Sequence, residues 1–156
     1  MTDAPDAPDP HPARAILEDL LSGDPRRITS AANDAIKAPR PVLLELAPHV
    51  DRIDRATDNL DYGGALHSNA DHVEQAIRVI RAAGAGECEC TVRYGWLFYE
   101  PAELEKAGKV EILGTSEPGW SMTYDCRCTA CGRRYTVDQN DTHFTYWRWS
   151  RPKTRD

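Results

Sequence analysis

The chain is predicted to be an α+β protein, in which antiparallel helix hairpins are followed by a small antiparallel β-sheet. In the first half, apolar residues recur at three- and four-residue intervals, which is the period of helices with one buried face. After Gly86 the pattern changes to short runs of β-branched and aromatic residues separated by glycine and proline, which is typical of antiparallel strands. Helices and strands are therefore expected to be segregated along the chain.

Glycine and proline set the expected helix boundaries. A first helix should end near Gly23. Asp24 then caps a second helix, with Pro25 at its first position, where the missing N–H is not needed. Pro48 should break a third, mostly apolar helix, and Gly84 should close the last one.

Strands are expected in the second half, with one helical turn over residues 102–107 among them. In the final strand, Tyr146 and Arg148 alternate with Trp147 and Trp149, so the two pairs should face opposite sides of the sheet. The strand candidates are residues 91–100, 110–113, 122–128, 135–137 and 142–150.

Composition divides the chain into four expected regions. Residues 1–12 alternate proline with Asp and Ala and are expected to be a disordered leader. Residues 13–85 form a helical domain, residues 86–150 a β-rich domain, and residues 151–156 a basic tail. The leader lacks the features of a secretory signal, and no apolar run has the ~20 residues of a membrane span. The predicted location is the cytoplasm, without membrane association.

The cysteines form a pattern with the spacing of a metal site. Cys88-x-Cys90 is followed, after 37 residues, by Cys128-x-x-Cys131-Gly132. Zinc favours four thiolates in a tetrahedron, and two close pairs on tight turns supply that geometry. Cys88, Cys90, Cys128 and Cys131 are therefore predicted to hold one structural Zn²⁺ in a zinc-ribbon-like domain.

Cys126 leaves part of this assignment open. Cys126-x-Cys128 repeats the spacing of the first pair, so counting alone does not separate Cys126 from Cys131. The glycine after Cys131 favours Cys128 and Cys131, with Cys126 as a small core residue. Five unrelated buried cysteines, or a redox-responsive zinc protein with Cys126 as a spare thiol, are the alternatives.

Charge and aromatic residues are concentrated near the C-terminus. Residues 126–156 hold seven Lys/Arg and three Asp/Glu, while the rest of the chain is strongly acidic. Trp147, Arg148 and Trp149 interleave aromatics with a cation. A core strand with one solvent-facing side is the favoured interpretation, and contact with a protein partner is the next. A zinc-ribbon nucleic-acid binder that uses Arg127, Arg133, Arg134, Arg148 and Arg151 is a further alternative.

No catalytic motif is evident, and the protein is predicted not to be an enzyme. GxSxG, HExxH and a phosphate-cradling glycine loop are all missing from the sequence. Asp141 and His143, with Cys126 as nucleophile, are the best enzymatic candidates. His143 is more simply a surface strand residue.

The chain shows three resemblances to known families. Asp24-Pro25-Arg26-Arg27 with the Ile/Ala face after it, and residues 41–53, resemble helix hairpins of HEAT-like repeat proteins. The CxC-then-CxxC order is similar to the zinc switch of the redox-regulated heat-shock chaperone. Together with residues 59–66 and 143–147, these patterns resemble immunity proteins of bacterial polymorphic toxin systems. That resemblance implies a non-enzymatic protein-binding module that neutralises a toxin domain.

Overall fold

The computed structural model describes residues 12–64 and 68–152. It confirms the α+β class, with helices first and an antiparallel sheet after them. The chain forms two compact units, divided between Gly86 and Glu87. The expected leader lies outside the described residues except for Pro12, as does the expected basic tail from residue 153 onward.

The first unit contains five α-helices within the described ranges, and several of their ends lie where glycine and proline predict. Asp24 Oδ1 accepts a hydrogen bond from the Arg26 N–H at 3.0 Å, and Pro25 opens the helix that follows. Around Pro48 the chain tightens into a 3₁₀ turn between two helices, so the predicted break is confirmed. None of the described helices is long and apolar enough to cross a membrane. The helices are α1 (Pro12–Leu20), α2 (Pro25–Lys37), α3 (Arg40–Leu46), α4 (Val50–Thr57) and α5 (Ala70–Gly84).

Helix α5 forms the centre of the first unit, because it packs against α2, α3 and α4. The core consists of aliphatic side chains at helical spacing, and each contributes about 1.5–3 kcal/mol by burial. Gly84 allows close approach at the end of α5, since a Cβ there would lie 2.9 Å from Ala47 Cβ. The largest fully buried aliphatic side chains of this unit are Leu20, Ile28, Ile36, Leu46, Ile53, Val79 and Ile80.

The second unit contains a short helix, α6 (Pro101–Lys106), and a four-stranded antiparallel sheet in the order β1-β2-β3-β4. Side chains alternate between a buried face, with Val137 at its centre, and a polar outer face. Cross-strand pairs such as Val137 with Trp149 fix the register of the buried face. The strands are β1 (Val110–Thr115), β2 (Met122–Cys128), β3 (Arg134–Asp141) and β4 (Thr145–Ser150).

The strand expected over residues 91–100 is wrong. The chain forms a 3₁₀ helix over Glu89–Gly95 and then an irregular segment. Trp96 and Tyr99 are buried, and a single backbone bond joins Leu97 to β4. The aromatic residues that indicated a strand instead cover the sheet, because β propensity largely measures side-chain packing.

Candidate metal centre

Two loops of the second unit bring four cysteines together. Cys88 and Cys90 lie at the start of the 3₁₀ helix, Cys128 ends β2, and Cys131 lies in the turn before β3. Their four sulfur atoms all lie within 4.8 Å of one another. The Cys88–Cys128 sulfurs are 3.7 Å apart, and the Cys90–Cys131 sulfurs are 3.4 Å apart. Thiolates of a zinc tetrahedron, with bonds of about 2.3 Å, are separated by about 3.8 Å. The cluster can therefore hold one metal ion.

The turn from Cys128 to Cys131 directs backbone N–H groups at sulfur. Gly132 adopts φ +79°, and its N–H donates to the Cys128 carbonyl at 2.9 Å. Burial raises the pKa of Cys128, but hydrogen bonds from the N–H groups of Cys131 and Ala130, together with the neighbouring thiols, lower it to about 7. This turn therefore favours the thiolate that a metal requires.

The first pair lies on a different kind of turn. Cys88 is extended, whereas Cys90 lies within the 3₁₀ helix. The Thr91 N–H and hydroxyl both donate to the Cys88 carbonyl, at 3.0 and 2.7 Å, and hold the turn. Burial raises the pKa of Cys90 to about 12. A metal cation at the cluster would therefore displace a proton that Cys90 otherwise keeps.

Cys90 also accepts a hydrogen bond from outside the cysteine cluster. The Tyr135 hydroxyl donates to Cys90 Sγ at 3.1 Å from within the core. The Cys90 thiol is the main cause that raises the pKa of the nearby Arg133 guanidinium. A donor such as the Tyr135 hydroxyl orients a metal-bound thiolate. The arrangement fits the four soft ligands of a tetrathiolate site.

Cys126 does not belong to the cluster. It is fully buried in β2, where it pairs with Ile112 of β1 and Tyr135 of β3. Burial is the main cause that raises its pKa to about 11. Cys126 is thus a core thiol, and the structure brings Cys131 rather than Cys126 to the other three sulfurs.

The three residues proposed for partner contact lie in different environments. Trp149 is only 4% exposed, and its Nε1 donates to the Tyr99 carbonyl at 2.9 Å. Trp147 is half-buried and donates from Nε1 to Gln139 at 3.2 Å. Arg148 is exposed on the outer face, over the Tyr146 ring. This segment is therefore a core strand with one solvent-facing side, on which Arg148 lies.

Sequence reasoning missed two residues. Trp120 is 80% exposed beside the Pro118-Gly119 turn, and a turn signal of that kind places its neighbours at the surface. Arg93 is buried, lies over the Trp149 ring, and has Nε and Nη1 without a hydrogen-bond partner among the described residues. No local signal marks this arginine as a core residue.

The enzymatic candidates are not arranged for catalysis. His143 and Asp141 are exposed, whereas Cys126 is fully buried in β2. A thiol without solvent access cannot reach a substrate. An exposed imidazole does not activate such a thiol as a nucleophile.

Neither a family model, nor a curated protein, nor a solved structure matches this chain.

Proposed function

We propose that the chain is a non-enzymatic protein-binding module whose second unit is folded around one structural zinc ion. The observation that carries the metal assignment is the close packing of the Cys88, Cys90, Cys128 and Cys131 sulfurs. Four soft thiolates in a tetrahedron are typical ligands of zinc, with iron as the other common occupant. A site closed by four protein ligands leaves no position for substrate or water, which supports a structural role.

The zinc ion would contribute directly to the stability of the second unit. This unit spans residues 87–156. Below about 70–80 residues, a single hydrophobic core rarely supplies enough stability by itself. Zinc would connect the 3₁₀ segment after Cys88 to the β2–β3 turn, and so join the covering aromatics to the sheet. Reduced thiolates are stable in the cytoplasm, which supports the proposed location.

Trp120 supports the protein-binding part of the proposal. It lies in the β1–β2 connection, where the Ser116 N–H bonds to the Thr123 carbonyl and the Thr123 N–H bonds to Ser116 Oγ, both at 2.9 Å. These bonds hold the hairpin that presents the exposed ring. Exposed tryptophans on held loops are frequent hot spots of protein interfaces.

A toxin domain is the partner that the family resemblance implies, and charge suggests where it would bind. Residues 12–86 hold eleven Asp/Glu and nine Lys/Arg, so the acidic excess does not lie mainly in the helices. Residues 87–125 hold eight Asp/Glu and three Lys/Arg. A basic partner would therefore be attracted to residues 87–125, which include Trp120, rather than to the basic residues 126–156.

The outer face of the sheet weakens the nucleic-acid alternative. Arg127 forms an ion pair with Glu111, and Arg134 forms one with Asp125. Carboxylates that alternate with arginines repel a phosphate backbone.

Cobalt substitution tests the ligand set. We expect Co²⁺-loaded protein to show the intense visible bands of a tetrahedral thiolate site, and Cys131→Ser to lose them. Cys126→Ala is the matched control and should keep the bands and one metal per chain. Bands lost in Cys126→Ala but kept in Cys131→Ser would overturn the assignment.

The same variants test the partner proposal. A cognate toxin domain is first sought among the products of neighbouring genes. We expect Trp120→Ala to keep the cobalt bands but to lower affinity for such a domain by 10-fold or more, as truncated hot spots commonly do. Unchanged affinity, or no binding to that domain by the wild-type chain, would contradict this part of the proposal.

A further inference from the structure

A cleft of about 450 Å³ lies beside the metal cluster, in the second unit. Three of its five lining residues are arginines, and we call it the arginine cleft. Arg133 precedes β3, Arg134 is the first residue of β3, and Arg151 follows the end of β4. The lining residues are Arg133, Arg134, Tyr135, Arg151 and Pro152.

Positive charge in the arginine cleft exceeds the carboxylates that neutralise it. Arg134 pairs with Asp125. Within the part of the chain that the structure describes, Arg133 and Arg151 form no ion pair with a carboxylate. Arg133 is exposed, and its planar fork carries five N–H donors. Two guanidinium charges therefore remain around one cleft.

We propose that the arginine cleft binds a single phosphate monoester group. A phosphate monoester carries close to two negative charges at neutral pH, which matches the two remaining guanidinium charges. A carboxylate carries only one. The planar forks of arginine also bind phosphate oxygens in pairs, with better geometry than an ammonium group.

The surroundings of the cleft favour one phosphate group over an extended nucleic-acid strand. On the outer face, Glu111, Asp125 and Asp138 interrupt the arginines. Tyr135 is 7% exposed, so its ring offers no platform for a base. A strand leaving the cleft would meet several carboxylates, whereas a single terminal phosphate would lie near only Asp125, which is paired with Arg134.

The arginine cleft is connected to the metal cluster through Arg133. The Cys128 N–H donates to the Arg133 carbonyl at 2.8 Å, which fixes the backbone of the cleft to the cysteine turn. The cleft should therefore lose affinity when the cluster is disordered. The phosphate site is independent of the proposed protein partner. Binding of phosphate would neither support nor contradict the protein-binding proposal.

The test is a titration of the metal-loaded full chain with inorganic phosphate at low salt, followed by NMR of arginine side-chain N–H groups. We expect saturable shifts at Arg133, Arg134 and Arg151. Arg151→Gln should weaken binding by about 10-fold, because one charge-assisted hydrogen-bonding group is lost. Arg148→Gln is the matched control, since it removes the same charge from an exposed arginine outside the cleft. Shifts that never saturate, or equal weakening in both variants, would overturn the proposal.

Further probes identify the source of the phosphate. Tighter binding of a phosphoserine peptide than of a nucleoside 5′-monophosphate would assign the site to a phosphorylated protein, and the reverse order would assign it to a small phosphorylated molecule. Both results support the proposal. Strong binding of a single-stranded oligonucleotide without terminal phosphate, weakened equally by Arg148→Gln and Arg151→Gln, would replace the single-phosphate site by a nucleic-acid track.

Discussion

Tyr135 is the residue through which the core of the sheet acts on the cysteine cluster. Its hydroxyl donates to Cys90 Sγ, and its ring contacts Trp149 edge-on. We expect Tyr135→Phe to keep the fold but to lower zinc affinity about 10- to 100-fold, the usual range for the loss of a second-layer partner. Competition with a calibrated chelator measures this affinity.

Tyr124→Phe is the control for that substitution. It removes a hydroxyl from the same sheet, but that hydroxyl donates to Gln139 at 2.9 Å rather than to a cysteine. Equal zinc affinities for the two variants would mean that the Cys90 contact has no role in metal binding.

Cys126 should be unreactive toward alkylating reagents while the protein is folded. Since burial raises the pKa of Cys126 to about 11, only about one thiol in a thousand is ionised at pH 8. Its reaction with iodoacetamide should be undetectable in the folded protein at pH 8 and rise as pH approaches 11. Peptide mass mapping measures the labelling, and rapid modification of Cys126 at pH 8 would contradict its place in the core.

At the scale of residues, the spacing of the cysteines predicts that the metal ligands are thiolates. It does not identify all four of the ligands. The two short motifs indicated a tetrathiolate site, and Gly132 indicated the tighter turn. Cys126 and Cys131 are equivalent by counting, and the structure confirms the choice that Gly132 favours, because β2 places Cys126 opposite Tyr135 within the core. The partners of Cys90 were likewise hidden, since Tyr135 is 45 residues away along the chain.

At the scale of elements, the end of α5 depends on a close approach to the 3₁₀ turn. A side chain at Gly84 would bring its Cβ to 2.9 Å from Ala47 Cβ, where neither backbone can yield easily. We expect Gly84→Ala to destabilise the protein by about 1–3 kcal/mol, the usual range for overpacking. Urea unfolding followed by circular dichroism measures the change.

The double variant Gly84→Ala with Ala47→Gly is the control for this clash. Removing the opposing Cβ should restore part of the lost stability, apart from the ~1 kcal/mol that glycine costs in a helical turn. A double variant that is less stable than the sum of the two single changes would show that steric contact is not the cause.

Local sequence patterns predict structure correctly where the residues at a position determine the backbone conformation there. The Asp24-Pro25 start, the break at Pro48 and the bounds of β2 follow from residues at those positions. Residues 91–100 had the composition of a strand, but they form a 3₁₀ helix and a covering segment instead. Tertiary contacts decide this case, because Cys90 turns toward the other three cysteines and Trp96 is buried.

At the scale of the whole molecule, the two units should respond differently to metal removal. The first unit has its own aliphatic core, whereas the second joins its covering segment to the sheet through the cysteines. We expect a strong chelator to increase hydrogen exchange across residues 87–152 and to leave α2 and α5 protected. Mass spectrometry of peptic fragments resolves the two regions, and uniform exchange across both units would contradict a metal role confined to the second.

The measurement that tests the central claim most directly is native mass spectrometry of the full chain before and after chelation. The account predicts the mass of one zinc ion per chain, and loss of that mass together with the low charge states of the folded protein. A chain that carries no zinc, or that keeps its folded charge states after the metal is removed, would contradict the claim that zinc at Cys88, Cys90, Cys128 and Cys131 holds the second unit together.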